Sequence, residues 1–333
     1  MDVNQDILLI RLKSIGDIVL TLPAVHVVRE NFPEARLHFL ISHEHAAILR
    51  GFTDVDDIIA LDRSTYRPNN VAGACGATAR LLSRLRKQNF SLAIDFHGYG
   101  ETELLSWWSG AAERWGCVYH PWRGWTYTRG VQRLGGVHAA EGHLAMLEQC
   151  GLNVCEVRNE FSLPQDALDA AGKFLAEHKF DREKPILFIQ PFTSTPEKNW
   201  PLAKYVALAD HARSRGLEVL FGGGSSERTA LQLAQVAGFA VSAGTPLLVS
   251  AALMKLSRLV VGADTGLVHL AVAMGKRVVM IMASNTAGAA HPFRHPDWTV
   301  TPPPGKTVPE IQVVTVIDAC DRALDESSPG RRA

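Results

Sequence analysis

The sequence predicts an α/β protein made of two consecutive βαβ domains, each with a parallel sheet. Short apolar runs typical of buried strands alternate with helical runs along the chain, and polar or glycine-containing turns follow the strands. The chain has 333 residues, which is long for a single hydrophobic core. Hydrophobic residues make up 47% and charged residues 20%, as in ordinary globular proteins. We therefore expect one domain over residues 1–165 and a second over residues 166–333.

Bulk properties exclude several classes of protein. Lys and Arg together number 34, as do Asp and Glu, so the zero net charge gives no indication of a nucleic-acid partner. No apolar run is long enough to span a bilayer, and the acidic, polar residues 1–6 are unlike a signal peptide. The five cysteines are scattered, without the spacing of a zinc or redox motif. These features predict a reduced, cytoplasmic protein.

The first half of the chain begins with an apolar strand over residues 7–12, a polar turn, and a helical segment to Val28 with Pro23 near its start. Residues 66–77 are predicted to form a loop, because they contain proline, asparagines and several small residues. Further strands are expected at 36–41, 58–61 and 92–98, and further helices at 45–49, 78–88 and 141–150.

The turn after the first strand contains a cation, a hydroxyl, a flexible residue and a carboxylate, namely Lys13, Ser14, Gly16 and Asp17. In open parallel sheets, ligands bind beyond the carboxyl ends of the strands, where this turn must lie. Asp95 and His97, at the end of a later strand, should project at the same edge. Asp17 is either a general base or a helix-capping residue, and the spacing alone favours neither.

The segment 107–133 is distinctive because it contains five of the seven tryptophans, interleaved with arginines. These residues are Trp107, Trp108, Trp115, Trp122, Trp125, Arg114, Arg123, Arg129 and Arg133. Indole and guanidinium groups together suit an amphipathic, anionic target, such as a phosphorylated glycolipid or a membrane interface. Alternatively, the tryptophans form an inter-domain core and the arginines lie at its rim.

The second half of the chain is organised around residues 259–282, which are predicted to form a strand, a turn, a helix and another strand. The turn carries Asp264, Thr265 and Gly266 where the helix begins, and His269 follows about one helical turn later. The first amides of a helix lack backbone partners and lie at the positive end of its dipole, so they bind anions well. The alternative is that Asp264 or Thr265 only caps the helix and His269 is a core residue.

The other elements of the second half follow the same alternation. Strands are expected at 186–189, 218–221 and 240–242, and helices at 168–179, 203–215, 228–237, 246–255 and 308–325. Residues 283–304 are predicted to be rich in loops, and the polar tail 327–333 to be disordered. The first and second groups of elements would then face each other across a cleft, as in nucleotide-sugar enzymes.

Two further turns carry groups that suit phosphate. In the loop 190–201, the ammonium of Lys198 with nearby hydroxyls would neutralise a diphosphate. The glycines 222–224 are a weak phosphate signal by themselves. The glycine fingerprint of dehydrogenases and the P-loop are both missing, which argues against those enzyme classes. No Asp-x-Asp pair lies at a suitable strand end to hold Mg²⁺, so we expect neither a metal nor a cofactor.

Four segments together resemble glycosyltransferase family nine, the ADP-heptose:lipopolysaccharide heptosyltransferases. They are Ser14-Ile15-Gly16-Asp17 with Leu20-Thr21-Leu22-Pro23-Ala24, Ile94-Asp95-Phe96-His97-Gly98, Lys198-Asn199-Trp200-Pro201, and Asp264-Thr265-Gly266-Leu267-Val268-His269-Leu270. They occur in the order of the family and span nearly the whole chain. The resemblance implies a GT-B fold with an N-terminal acceptor domain (1–165), a C-terminal donor domain (166–333), and a last helix (about 308–325) that packs back on the first domain.

The resemblance also implies roles for individual residues. Asp17 would be the catalytic base, and the donor would contact Thr193, Ser194, Lys198, Glu227, Asp264, Thr265, Gly266 and His269. We further expect the acceptor to contact Lys13, Ser14, Gly16, His97 and Arg123. The sequence departs from the family pattern at residues 283–288. Family members usually have a Gly-Pro-Thr-like turn there, near the donor, whereas this chain has Ala283-Ser284-Asn285-Thr286-Ala287-Gly288.

The implied reaction is an inverting, metal-independent transfer of a heptosyl group from ADP-heptose to the inner core of lipopolysaccharide. The acceptor would be a glycolipid that carries phosphate or Kdo, and the enzyme would be cytoplasmic with peripheral contact to the inner membrane. One alternative is a sugar-nucleotide epimerase of the same fold, which would need acid and base groups on both sides of one sugar carbon. The other is a non-catalytic sugar-nucleotide binder.

Overall fold

The computed structural model describes residues 5–62, 71–119, 121–133 and 135–326, without the side chains of residues 71, 72, 74 and 121–123. The chain divides into two compact units, Met1–Glu160 and Phe161–Ala333. Within the described ranges, each unit contains a six-stranded sheet whose strands are all parallel. The predicted α/β class is confirmed.

The first unit has strands β1 (Asp6–Ile10), β2 (Arg36–Ser42), β3 (Asp57–Leu61), β4 (Leu92–Asp95), β5 (Glu113–Val118) and β6 (Arg129–Gln132), and helices α1 (Ile15–Val19), α2 (Leu22–Asn31), α3 (Val71–Lys87), α4 (Gly100–Trp108) and α5 (Ala139–Gln149). The strand order is β3-β2-β1-β4-β5-β6. Residues 7–10 of β1 are fully buried, as expected for a parallel strand covered on both faces. Ile10 pairs with Leu40 and with Asp95, so the turns after β1 and β4 leave the same sheet edge as neighbours.

The second unit has strands β7 (Ile186–Gln190), β8 (Glu218–Gly223), β9 (Ala240–Ala243), β10 (Leu259–Ala263), β11 (Val278–Ile281) and β12 (Thr299–Val300), and helices α6 (Gln165–Glu177), α7 (Leu202–Ser214), α8 (Gln232–Val236), α9 (Leu247–Leu256), α10 (Gly266–Ala273), α11 (Ser284–Ala290) and α12 (Val313–Glu326). The strand order is β12-β11-β10-β7-β8-β9. Strands β10, β7 and β8 are therefore adjacent, and the turns that follow them leave one edge of the sheet together.

Three parts of the chain differ from the sequence prediction. The predicted loop is wrong for residues 71–77, because α3 begins at Val71 and its small residues continue into a helix whose far end buries Leu85. Residues 63–70 and the predicted disordered tail 327–333 lie outside the described residues. Strands β5 and β6 lie in the Trp-rich segment, and α11 and β12 lie in the segment predicted to be loops. The pattern of apolar residues is hard to recognise in β5 and β6 because they contain arginine and tryptophan, and in α11 and β12 because these elements are short.

The last helix also differs from the expectation. Residues 308–310 form a separate 3₁₀ turn, and α12 begins at Val313. Its buried side chains, Val316, Cys320 and Ala323, belong to the hydrophobic core of the second unit together with residues of α7, β10 and β11. The apolar face of this helix thus packs within the C-terminal unit, and the packing on the first domain that the family resemblance implied stays a prediction. Among the described residues, no helix combines the length and apolar character needed to cross a membrane.

Candidate active site

A cavity of about 650 Å³ lies within the first unit, at the carboxyl edge of its sheet. Four of the predicted site residues line it: Lys13, Ser14, Asp17 and His97. They come from the turns after β1 and β4, which the strand pairing makes neighbours. The structure therefore brings the predicted base together with three of the predicted acceptor residues.

The carboxylate of Asp17 is held from one side by the turn that precedes it. Its Oδ2 atom accepts hydrogen bonds from the Ser14 amide at 3.2 Å and the Ser14 hydroxyl at 3.1 Å. The Arg11 guanidinium lies 2.9 Å from the same oxygen and also donates to the Phe96 carbonyl at 2.7 Å. Asp17 is thus the acidic N3 residue of α1 and, at the same time, a carboxylate fixed at the cavity wall. Its Oδ1 atom has no hydrogen bond with any described residue.

Asp17 is ionised at neutral pH. Burial alone would raise the pKa of its carboxyl group, but the Arg11 charge and the Ser14 hydrogen bonds outweigh burial, and the pKa lies below its ordinary value. The side chain of Asp17 is 43% exposed while that of Arg11 is only 9% exposed. The arginine is therefore a buried support, and the carboxylate is accessible from the cavity.

The end of β4 contributes one structural carboxylate and one cavity histidine. Asp95 is fully buried, and it accepts hydrogen bonds from the His97 and Gly98 amides and from the Tyr127 hydroxyl at 2.8–3.0 Å. Burial raises the pKa of Asp95 despite these donors. The Nδ1 atom of His97 accepts from the Leu12 amide at 3.3 Å, which assigns the ring proton to Nε2. Asp95 thus fixes the turn that orients His97.

Sequence reasoning missed several residues of this cavity. Arg11, Tyr99, Glu101, Tyr119, His138 and His143 also line it, as does Arg133, which had been noted only as part of the Trp-rich segment. Arg133 lies 4.6 Å above the Tyr119 ring, which in turn stacks on Tyr99. One signal was available for Arg11, since a charged residue near the end of a buried apolar strand needs a partner. Nothing in the local sequence marked His143 of α5 or His138, the N-cap residue of that helix.

His143 is held neutral by its surroundings. Burial and the nearby positive charge of Arg11 lower its pKa to about 4. Its Nδ1 atom lies 3.4 Å from the Leu20 carbonyl, and its ring packs edge-on against Phe96. This histidine forms part of the wall of the cavity and adds no positive charge at neutral pH.

In the second unit, the turn after β10 forms the helix start that the sequence predicted. Thr265 is the N-cap of α10, and its hydroxyl accepts from the Val268 amide at 3.4 Å. The Nε2 atom of His269 lies 3.1 Å from Oδ1 of Asp264. His269 is only 4% exposed, and its Nδ1 atom has no hydrogen-bond partner among the described residues. Buried polar atoms are normally paired, so this nitrogen marks a place for a ligand or an ordered water.

The neighbouring strands β7 and β8 end in the other predicted donor residues. The Thr193 hydroxyl is already used inside its loop, where it donates to the Thr195 carbonyl at 2.7 Å, and Ser194 is exposed. Lys198 is half-buried, and its ammonium forms no hydrogen bond or ion pair with a described residue. Glu227 accepts from the Gly224 amide through Oε2 and so closes the glycine turn after β8. These groups and the start of α10 share one sheet edge.

Beneath the edge formed by the ends of β7, β8 and β10, close packing requires glycine at positions 222 and 262 and surrounds the buried side chain of Gln190. A Cβ atom at Gly262 would lie 2.6 Å from the Gln190 carbonyl, so β10 and β7 approach as only glycine permits. Gln190 is 5% exposed at the end of β7, and its Oε1 atom has no partner among the described residues. A Cβ atom at Gly222 would lie 2.7 Å from that same oxygen. Gln190 is a second buried polar group at the edge, and the sequence analysis did not single it out.

Two predicted features remain to be placed. The side chain of Arg123 lies outside the described residues, so its predicted acceptor contact has no structural counterpart here. Residues 283–288, where the sequence departs from the family pattern, enter the seven-residue helix α11 directly after β11. No group of three His, Cys, Asp or Glu side chains in the described ranges could hold a metal ion.

Comparison with known proteins bears on both units. Residues 78–302 match the family described as glycosyltransferase family 9 (heptosyltransferase). The lipopolysaccharide core heptosyltransferase OpsX of Haemophilus influenzae is 21% identical over 308 residues, which cover 89% of this chain and 84% of that protein.

Two solved structures are similar over nearly the whole chain. A family 9 glycosyltransferase from Veillonella parvula has a TM-score of 0.85 and 19% identity, and covers 98% of this chain and 99% of that one. Escherichia coli heptosyltransferase WaaC with ADP-2-deoxy-2-fluoro heptose has a TM-score of 0.75 and 18% identity, and covers 97% of this chain and all of that one. These similarities confirm the predicted GT-B fold class. Because the family match covers more than half of its length, this chain belongs to glycosyltransferase family 9 and is a glycosyltransferase.

Proposed function

We propose that this enzyme transfers a heptosyl group from ADP-heptose to the inner core of lipopolysaccharide, with inversion at the anomeric carbon and without a metal ion. The observation that carries the proposal is the state of Asp17. Its carboxylate is ionised and anchored through Oδ2, and Asp17 lines the cavity of the first unit, while its Oδ1 atom has no hydrogen bond with a described residue. This is the arrangement that a general base requires.

In the proposed reaction, an acceptor hydroxyl attacks the anomeric carbon of the heptose from the face opposite to the diphosphate. The new carbon–oxygen bond forms as the bond to ADP breaks, and the hydroxyl proton passes to Oδ1 of Asp17. The lowered pKa makes Asp17 a weaker base but keeps it ionised, and the hydroxyl becomes acidic only as its oxygen bonds to carbon. A positioned base of this kind contributes about 10²–10⁴ in rate.

The leaving ADP gains negative charge in the transition state, so groups that bind it more tightly there lower the barrier. We assign this role to the edge formed by the turns after β10 and β7. The ammonium of Lys198, which has no partner among the described residues, and the first amides of α10 at Thr265 and Gly266 would donate to the diphosphate. Each charge-assisted bond would contribute about 1.5–3 kcal/mol. The Oε1 atom of Glu227 would accept from a ribose hydroxyl, and the Asp264–His269 pair, with Thr193 and Ser194, would contact the rest of the donor.

The comparisons support the choice of substrates without fixing them. The proteins that this chain resembles are named as heptosyltransferases of the lipopolysaccharide core, and one was solved with an ADP-heptose analogue. On this basis residues 1–165 would bind the acceptor and residues 166–333 the donor. The cations that line the cavity, Arg11, Lys13 and Arg133, suit an acceptor that bears phosphate or Kdo carboxylates. Its contacts would be Lys13, Ser14, Gly16, His97 and Arg123.

The test is a transfer assay with ADP-heptose and a heptose-deficient lipopolysaccharide core, run with and without a chelator. The proposal predicts that the acceptor gains the mass of one heptose, that ADP is released in equal amount, and that the chelator has no effect. The anomeric configuration of the product, read by NMR, should be opposite to that of the donor. Donor consumption without acceptor would instead indicate an epimerase, and donor binding without turnover would indicate a non-catalytic binder.

A further inference from the structure

The first unit exposes a group of large apolar side chains that the catalytic proposal does not use. Leu104, Trp107 and Trp108 of α4 are 53%, 43% and 43% exposed, and Trp125 of the following 3₁₀ turn is 61% exposed. We call these four residues the aromatic face. The α4 members have the spacing i, i+3, i+4, which places them on one side of the helix.

The three tryptophans of the aromatic face form one continuous cluster. The Trp107 ring contacts the Trp108 ring at 6.1 Å and the Trp125 ring at 5.8 Å between centroids, both edge-on. The opposite side of α4 is the one that packs inward, through buried Leu105 and Ser106. Single exposed apolar residues are common, but a contiguous aromatic cluster marks an interaction site. Trp115 of the same segment is buried, with 5% exposure, whereas Trp107, Trp108 and Trp125 are exposed. The tryptophans therefore do not all belong to one buried core.

Positive charge lies directly beside the aromatic face. The last turn of α3 carries exposed Arg86 and Lys87, and α3 packs against α4. The Arg86 guanidinium donates to the Trp108 carbonyl at 3.5 Å and lies against Gly110. No acidic group neutralises these two cations among the described residues. The half-exposed acid Glu113 is already paired with Arg129.

We propose that the aromatic face docks on the surface of an anionic phospholipid bilayer. The indoles would lie at the depth of the headgroups, where their apolar rings and N–H groups are both satisfied. Arg86 and Lys87 would contact lipid phosphates, while their aliphatic stems follow the apolar surface. A protein partner would need a groove that is complementary to the aromatic face. A bilayer offers apolar chains beneath a layer of phosphates, and this arrangement matches indole rings that lie beside the cations of Arg86 and Lys87.

The position of α4 gives this docking a consequence for catalysis, which rests on the proposed function. Tyr99 and Glu101, at the start of α4, line the cavity that contains Asp17, and the aromatic face lies at the other end of the helix. The seven helical steps from Glu101 to Trp108 span about 10 Å along the axis. A bilayer bound at the aromatic face would therefore lie next to the cavity in which a lipid-anchored acceptor reacts.

The test is co-sedimentation of the full chain with vesicles, in the absence of any sugar substrate. Native protein should bind phosphatidylglycerol vesicles more strongly than phosphatidylcholine vesicles, and added salt should weaken binding. The double variant Trp107→Ser/Trp125→Ser should partition at least about tenfold less. The control Leu233→Ser/Val236→Ser, which removes side chains 47% and 87% exposed in the second unit, should bind as the native protein does. Arg86→Gln should weaken binding to anionic vesicles only.

The proposal would be overturned if the native protein failed to bind anionic vesicles at low salt. It would also be overturned if the double tryptophan variant, with a circular dichroism spectrum like that of the native protein, bound the vesicles as strongly as the native protein does. A native dimer that the double variant converts to a monomer would assign the face to a second copy of the chain and equally overturn it. Transfer to a deacylated, water-soluble acceptor separates this proposal from the catalytic one. The double variant should retain full activity there, whereas a loss would show that these tryptophans act in the reaction.

Discussion

At the scale of single residues, the candidate site depends on the pairing of Arg11 with Asp17. The arginine is nearly buried, donates to the Phe96 carbonyl, and faces one oxygen of the carboxylate. It cannot accept a proton from the acceptor, so its role is to position Asp17 and to keep it ionised. Such a supporting residue changes the pH at which the base works more than it changes the chemistry itself.

Replacing Arg11 tests this role. In Arg11→Met, the burial of Asp17 is no longer opposed by a positive charge, so its pKa should rise. A base works only when deprotonated, and the acid limb of the kcat/KM profile should therefore move to higher pH. The control is Arg133→Gln, another cation of the cavity, which lies over Tyr119 and should leave the acid limb in place. An unmoved limb in Arg11→Met would contradict the assigned role.

At the scale of elements, the sheet edge that we propose to bind the donor depends on the close approach of β10 and β7. Gly262→Ala would bring a Cβ atom to 2.6 Å from the Gln190 carbonyl, which is a backbone atom and cannot rotate away. We expect this change to lower the free energy of unfolding by about 1–3 kcal/mol, measured by denaturant titration. Gly172→Ala in α6 is the matched control, since nothing lies within 4 Å of its new Cβ atom. That change should stabilise the helix by about 0.5–1 kcal/mol.

Sequence reasoning located most elements, because the strands of a doubly covered parallel sheet are continuous apolar runs such as residues 7–10 and 259–261. It failed where composition and structure diverge. Small residues of α3 resemble a loop until packing extends the helix, and β5 and β6 are short strands rich in arginine and tryptophan. The site shows the same limit: Asp17 and Thr265 lie in recognisable turns, whereas His143 and Gln190 reach their sites through tertiary packing alone.

At the scale of the whole molecule, the buried His143 links stability to pH. Its pKa of about 4 in the folded chain lies below its ordinary value of 6.5. The unfolded chain therefore binds a proton first as pH falls, and the folded state loses stability between pH 6.5 and about 4, by up to about 3 kcal/mol. Asp17 also has a lowered pKa, but its contribution is lost only at lower pH, as its carboxylate becomes protonated.

The loss of stability at low pH is measured by denaturant unfolding of the full chain at pH 7, 5.5 and 4.5. His143→Gln should flatten the decline across that range, although it lowers stability at pH 7 by disturbing the packing on Phe96. The exposed His178 provides the control, since His178→Gln should leave the native pH dependence unchanged. A decline of the same steepness in His143→Gln would show that other groups are responsible.

The central claim is that Asp17 is the base of a heptosyl transfer, and Asp17→Asn tests it most directly. The amide keeps the shape of the side chain but cannot accept the proton, so kcat should fall by about 10²–10⁴ while the dissociation constant for ADP-heptose stays the same. Glu101→Gln, another acid of the same cavity, should retain nearly full activity. An Asp17→Asn enzyme that transfers heptose at the native rate would contradict the account.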